Sequence, residues 1–125
     1  MKKILLVEDD VSLHSLYKDA LIPHDVTVVP VTTGKEGIHT ALSDGPFDLV
    51  ILDVMLPGGM NGFDVARELR QNPKTAAIPL LFLTNLDSEK ESANAVKADY
   101  LVKTNTSLAE VVTKITQMLG ITRLS

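Results

Sequence analysis

The stretch Asp48-Leu49-Val50-Ile51-Leu52-Asp53 decides the fold, because four consecutive apolar residues end at a carboxylate. A continuous apolar run of this length is typical of a strand that is covered on both faces, as in a parallel sheet. Four further strands are predicted at 4–7, 25–32, 79–84 and 100–102. Pro30 favours a sheet edge for the strand at 25–32, because proline cannot donate a hydrogen bond to a neighbouring strand.

Helical patterns separate the predicted strands. The first helix has one apolar face, formed by Leu13, Leu16, Tyr17, Ala20 and Leu21. Asp9 or Asp10 can cap this helix at its first turn. The other helix candidates lie at 34–42, 62–69, 87–98 and 108–119. Five strands that alternate with five helices predict an α/β fold, in which right-handed crossovers place helices on both faces of a doubly wound parallel sheet.

The composition excludes several classes of protein. With 125 residues, of which 45% are hydrophobic, we expect one domain over 1–125, with no output domain after the last helix. The absence of Cys excludes disulfides, zinc–cysteine sites, iron–sulfur clusters and a cysteine nucleophile. A net charge of −4 argues against direct contact with nucleic acid. No apolar run approaches a membrane span or a signal peptide, so we expect no membrane contact and a cytoplasmic protein.

Chemically active side chains follow the predicted strands. Glu8-Asp9-Asp10 follows the first strand, Asp53 ends the third, Thr84 ends the fourth and Lys103 follows the fifth. Sites of open parallel sheets lie beyond the carboxyl ends of the strands, so these groups converge. Crowded carboxylates repel one another, and a hard cation such as Mg²⁺ resolves that conflict. Asp53 is therefore a candidate nucleophile for a phosphoryl group, with Lys103 as a charge partner.

Each of these residues also has an ordinary structural explanation. Asp10 alone suits a helix cap, Thr84 alone suits a strand-end hydroxyl, and Lys103 alone suits a solvated surface. Asp53 differs, because a charge at the mouth of a buried strand costs free energy unless it has a partner. Surface positions without a matching partner are predicted for the three histidines, His14, His24 and His39.

Together these residues resemble the receiver domain of bacterial two-component response regulators. The resemblance covers nearly the whole chain and keeps the family order of motifs. It implies a five-stranded sheet of order 2-1-3-4-5, the flavodoxin-like receiver fold. The matching stretches are Ile4-Leu5-Leu6-Val7-Glu8-Asp9-Asp10, Asp48 through Asp53 continuing to Val54-Met55-Leu56-Pro57, Gly62, Leu83-Thr84 and Tyr100-Leu101-Val102-Lys103.

The resemblance implies a metal site and a phosphoacceptor. Asp53 would accept phosphate from the phosphohistidine of a histidine kinase or a phosphotransfer protein. Asp9 would bind Mg²⁺ directly, and Glu8 would act largely through water. Met55 would offer its backbone carbonyl to the metal. A protein of this family is a regulatory phosphoacceptor rather than a turnover enzyme, since it catalyses only its own phosphorylation and dephosphorylation.

The resemblance also implies a conformational switch. Thr84 would bind the phosphoryl group, Tyr100 would follow it inward, and Lys103 would hold a phosphoryl oxygen. A phosphoryl group adds about −1.5 to −2 charge and three acceptor oxygens, enough to favour a second arrangement of these side chains. The changed face would then bind a downstream protein.

Four features depart from the family pattern. Thr104 stands where proline usually follows the lysine. A cis bond without proline costs about 2.5–4 kcal/mol, so we expect either a trans bond with a shifted loop or a strained cis bond. The segment between Thr84 and Tyr100 is short by nearly a helical turn, which predicts a shortened or irregular fourth helix. The loop after Asp53 is longer than usual, and the pair Gly58-Gly59 accommodates the extra length with positive φ. Asn85 narrows the access of a phosphodonor to the site.

Three other interpretations compete with a working receiver. A flavodoxin-like FMN binder would need a phosphate loop where Glu8-Asp9-Asp10 stands, and aromatic residues make up only 4% of the chain. A phosphatase of the haloacid dehalogenase type would need a second aspartate where Met55 stands. A degenerate receiver would serve as a protein-interaction scaffold without phosphorylation. Asp53, Thr84 and Lys103 argue against that last interpretation.

Overall fold

The computed structural model describes residues 1–86 and 88–121. Its five strands are β1 (Lys2–Val7), β2 (Val26–Val31), β3 (Leu49–Leu52), β4 (Leu80–Thr84) and β5 (Asp99–Val102). They form one parallel sheet of order β2-β1-β3-β4-β5, which confirms the predicted topology. The order places β2, with its exposed Pro30, at an edge as predicted.

Helices cover both faces of the sheet, as predicted. They are α1 (Val11–Leu21), α2 (Gly34–Ser43), α3 (Gly62–Gln71), α4 (Lys90–Ala95) and α5 (Leu108–Met118). Successive strand residues point to opposite faces. Leu5 therefore packs in the core beneath α2, α3 and α4, whereas Ile4 packs in the core beneath α1 and α5. All four residues of β3 are buried, which explains its uninterrupted apolar sequence.

The first helix begins as predicted, but its buried face differs from the prediction. The Asp10 side chain accepts a hydrogen bond from the Ser12 N–H and caps the helix. The buried residues of α1 are His14, Tyr17 and Leu21. Leu16, which was expected on this face, is 44% exposed. The face is therefore rotated toward the histidine.

The fourth helix is short, as predicted. α4 contains six residues and has no side-chain hydrogen bond at its N-cap, Glu89. Residue 87, where the predicted helix began, lies outside the described residues. The chain beyond its last turn is held by Arg70, whose guanidinium donates to the carbonyls of Val96 (2.8 Å) and Lys97 (3.0 Å).

Two loops settle the remaining expectations about the backbone. Gly58 and Gly59 have φ of 87° and 80°, which confirms the predicted positive φ. Among the described residues the cis peptide bond is Gly45–Pro46, so Lys103–Thr104 is trans. The loop there forms a 3₁₀ turn over Lys103–Asn105. Across residues 1–86 and 88–121, no helix has the length and apolar character that crossing a bilayer requires.

Candidate functional site

Three carboxylates meet at the carboxyl edge of the sheet. Neighbouring strands β1 and β3 are in register at Val7 and Leu52, so the residues that follow each strand come side by side. The Asp53 N–H donates to the Val7 carbonyl (3.1 Å) and extends this pairing. Carboxylate oxygens of Glu8, Asp9 and Asp53 all lie within 4.8 Å of one another. The predicted convergence of these acids is confirmed.

Lys103 lies against this carboxylate cluster. Its ammonium donates to Glu8 Oε1 and to Asp53 Oδ2, the latter at 2.9 Å. The lysine side chain is 14% exposed, so water screens these ion pairs weakly. Three carboxylates and one ammonium leave a formal charge of −3 + 1 = −2 at the site.

Burial and pairing oppose each other in the electrostatics of the site. Burial raises the pKa of Glu8, although hydrogen bonds from Lys103 and the Asp10 N–H partly offset that rise. Burial alone would lower the pKa of Lys103, but its hydrogen bonds to Glu8 and Asp53 and the attraction of their negative charges together outweigh burial and raise it. Lys103 is therefore the fixed positive charge of the site.

Asp53 is held on both oxygens and along its backbone. Its Oδ1 accepts from the Met55 N–H (3.2 Å), while Oδ2 accepts from Lys103. Met55 thus joins the site through its backbone, and the residue as a whole is 64% exposed. α3 starts directly against Asp53, because a Cβ on Gly62 would lie 2.1 Å from the Asp53 carbonyl oxygen. Only glycine permits this approach.

Thr84 and Tyr100 both hydrogen-bond the backbone of Leu86. Thr84 is 1% exposed, and its hydroxyl accepts from the Leu86 N–H (3.4 Å). The Tyr100 hydroxyl donates to the Leu86 carbonyl. The Tyr100 ring packs 6.2 Å from the ring of Phe82 on β4. The loop after β4 is therefore attached to both side chains that the sequence predicts as the switch.

His14 is a site residue that the sequence interpretation missed. The expectation of a surface position is wrong, because His14 is 8% exposed and its Nε2 donates to the Glu8 carbonyl (2.5 Å). Its spacing of three and seven residues from Tyr17 and Leu21 is the signal that places it on the buried face. His39 is exposed, as predicted, and His24 is half-buried.

The donor set of the cluster fits a hard divalent cation. All three side chains offer carboxylate oxygens, the ligands that Mg²⁺ prefers, and Asp9 is exposed to solvent. Mg²⁺ usually keeps several water ligands and binds through one or two carboxylates. Glu8, whose oxygens already accept from Lys103 and the Asp10 N–H, suits an indirect role through water.

Comparison with known proteins agrees with this geometry. A family model described as the response regulator receiver domain matches residues 4–116. The chain is 37% identical over 107 residues to the transcriptional regulatory protein RstA of Escherichia coli, covering 83% of this chain and 43% of RstA. It is 42% identical over 106 residues to the transcriptional regulatory protein CiaR of Streptococcus pneumoniae, covering 82% of this chain and 45% of CiaR. The chain therefore spans less than half the length of these two relatives.

A solved structure also resembles this fold closely. The response regulator TrrA of Thermotoga maritima, in complex with Mg²⁺ and BeF, superimposes with a TM-score of 0.81 at 29% identity. The match covers 94% of this chain and 99% of that one.

Proposed function

The chain belongs to the response regulator receiver domain family, and from this premise we propose that it is a phosphoacceptor switch of a two-component phosphorelay. Asp53 is the proposed phosphoacceptor. The observation that carries this assignment is the pairing of Asp53 Oδ2 with Lys103 Nζ at 2.9 Å, beside two further carboxylates. This arrangement supplies a nucleophile, a fixed cation and oxygen ligands for a metal at one edge of the sheet.

The proposed chemistry is transfer of a phosphoryl group from a histidine nitrogen to Asp53. An Asp53 carboxylate oxygen forms a bond to phosphorus as the phosphorus–nitrogen bond breaks, and the donor imidazole, which carries a proton on its other ring nitrogen, leaves as neutral imidazole. Lys103 holds a phosphoryl oxygen, because its ammonium already lies within hydrogen-bonding distance of Asp53. The donor is a histidine kinase or a phosphotransfer protein.

The proposed cofactor is Mg²⁺, held by Asp9, Asp53, the backbone carbonyl of Met55 and, through water, Glu8. The close approach of the three carboxylates supports this proposal. The Mg²⁺ in the TrrA structure provides a second line of support. Bound there, the cation supplies the positive charge that offsets the charge of the phosphoryl oxygens.

The proposed output is a change in the loop after β4. The phosphoryl oxygens recruit the Thr84 hydroxyl, which in the unphosphorylated chain accepts from the Leu86 N–H. The Tyr100 hydroxyl, bound to the Leu86 carbonyl, responds to the same movement. A downstream protein reads the changed face. With a net charge of −4 we propose protein partners for this chain rather than nucleic acid.

The test is incubation with Mg²⁺ and phosphoramidate, a small donor with a phosphorus–nitrogen bond, followed by intact mass measurement. We expect a gain of one phosphoryl group that disappears in Asp53→Ala and without Mg²⁺. Asp19→Ala, which changes an exposed aspartate of α1, should keep the gain. Absence of the gain in the wild-type chain would instead support the degenerate scaffold, which the trans Lys103–Thr104 bond and the six-residue α4 keep as an alternative.

A further inference from the structure

His14 occupies the end of the buried face of α1 nearest the carboxylate cluster. The three buried residues of this helix are His14, Tyr17 and Leu21, and the histidine is the one closest to Glu8 in sequence. A carbonyl oxygen only accepts hydrogen bonds, so His14 Nε2 is the donor to the Glu8 carbonyl. The imidazolium and the Nε2–H neutral tautomer both carry this donor.

The backbone on either side of Asp9 is fixed by hydrogen bonds. The Glu8 N–H donates to the Val31 carbonyl (3.0 Å), and the Glu8 carbonyl accepts from His14. The Asp10 N–H donates to Glu8 Oε2 (3.1 Å), and the Asp10 carbonyl accepts from the Leu13 N–H (3.0 Å). The exposed Asp9 therefore takes its direction from the two peptide units that flank it.

The Glu8 carbonyl is the acceptor in this backbone that His14 holds. Glu8 is 2% exposed, and an unpaired carbonyl in such surroundings costs about 1–3 kcal/mol. Without the imidazole, rotation of the Glu8–Asp9 peptide toward water would relieve that cost. The same rotation would turn the Asp9 carboxylate away from Asp53.

We infer that His14 is a positioning residue for the metal site: by holding the Glu8 carbonyl, it keeps the Asp9 carboxylate directed at Asp53. This inference rests on the proposed function, because it concerns the same Mg²⁺ site. His14 binds no metal itself. It acts through the backbone, as partners outside the ligand shell do when they orient metal ligands.

The test measures Mg²⁺ affinity of the whole chain by calorimetry for His14→Phe and His14→Gln. The phenylalanine variant lacks the donor, so its Kd for Mg²⁺ should rise about 10–100-fold. The glutamine amide nitrogen reaches as far along the side chain as Nε2, so His14→Gln should recover most of the affinity. His39→Phe, at an exposed position on α2, is the matched control and should leave Kd unchanged.

A second measurement needs no variant. In the uniformly ¹⁵N-labelled wild-type chain, the His14 Nε2–H resonance should shift with Mg²⁺ at the same midpoint as the Asp9 amide. An equal Kd for wild type and His14→Phe, or a resonance unmoved by Mg²⁺, would overturn the inference while leaving Asp53 phosphorylation intact. A wild-type chain that binds no Mg²⁺ and takes no phosphoryl group would overturn the proposed function as well.

Discussion

Gly62 determines how closely α3 can approach Asp53, the proposed phosphoacceptor. We predict that Gly62→Ala lowers the free energy of unfolding by about 1–3 kcal/mol, because its Cβ would lie 2.1 Å from a backbone oxygen that cannot turn aside. Gly34→Ala is the matched control and should cost less, since its Cβ would meet side chains rather than backbone, namely those of Val65 (2.9 Å) and Met60 (3.0 Å). Urea unfolding checks the difference, and equal losses would contradict this account of Gly62.

Met55 sets the lifetime of the phosphorylated state, in our second prediction. Water needs an orienting polar group to attack an acyl phosphate. Met55 and Leu86, which stand two residues after Asp53 and Thr84, both have apolar side chains. We therefore expect slow self-dephosphorylation of Asp53 and faster loss in Met55→Asn or Leu86→Glu. Met55→Leu should match the wild-type chain. Intact mass over time after removal of the donor measures the decay, and identical decay in all variants would contradict the prediction.

Arg70 ties three parts of the chain together around the short fourth helix. In addition to the two carbonyls after α4, its guanidinium donates to those of Ala76 (2.9 Å) and Ile78 (2.6 Å), ahead of β4. We predict that Arg70→Lys lowers the free energy of unfolding by about 1.5–3 kcal/mol, because one ammonium cannot serve four carbonyls. Arg67→Lys, at an exposed pair with Asp64, should cost much less.

Hydrogen exchange locates the effect of the Arg70 substitution. Amides of α4 and the turn after it should exchange faster in Arg70→Lys, while those of α5 keep their protection. Uniformly faster exchange across both helices would show that Arg70 supports the whole fold rather than this junction.

Ser107 and Glu110 form a capping box at the start of α5, in which each side chain accepts a hydrogen bond from the backbone N–H of the other residue. This pair makes the first turn of α5 dependent on pH. The hydrogen bond from the Ser107 backbone N–H lowers the pKa of Glu110 most, and the Ser107 hydroxyl lowers it further. A lowered folded-state pKa adds stability that is present above the ordinary carboxyl pKa and is lost as pH falls through the lowered value. We predict that Ser107→Ala raises the pKa of Glu110 only part of the way to its ordinary value, because alanine lacks the hydroxyl but keeps the backbone N–H that donates to the carboxylate. An NMR titration of the Glu110 carboxyl checks this, and an unchanged pKa would contradict it.

Much of the architecture could be predicted because burial of a strand or helix requires a regular pattern of apolar residues in its sequence. β3 is buried on both faces and therefore consists of four apolar residues. The strand order places Asp53, which follows β3, beside Glu8, which follows β1. His14 was missed because histidine is polar, although its spacing from Tyr17 and Leu21 places it on the buried face of α1. Its partner, the Glu8 carbonyl, leaves no sequence signal. Arg70 was also missed, because its acceptors lie 6 to 27 residues away and leave no local signal.

Mg²⁺ should stabilise the whole molecule, and this stabilisation should depend on Asp9. A ligand bound only by the folded chain stabilises it, by about 2.7 kcal/mol at one hundred times Kd. We predict that Mg²⁺ raises Tm in the wild-type chain and that EDTA reverses the rise. Asp9→Asn should lose this response, because one of the three carboxylates is gone.

With Mg²⁺, Asp9→Asn removes a stabilisation, but without Mg²⁺ the same substitution should raise the melting temperature. Three carboxylates within 4.8 Å repel one another, and one lysine leaves the site at −2. Removing one charge relieves about 1 kcal/mol near solvent, so metal-free Asp9→Asn should melt above the metal-free wild-type chain. Asp19→Asn, on the exposed surface of α1, should leave both melting curves unchanged. A metal-free Asp9→Asn chain that melts below wild type would mean that Asp9 stabilises the fold by contacts other than metal binding.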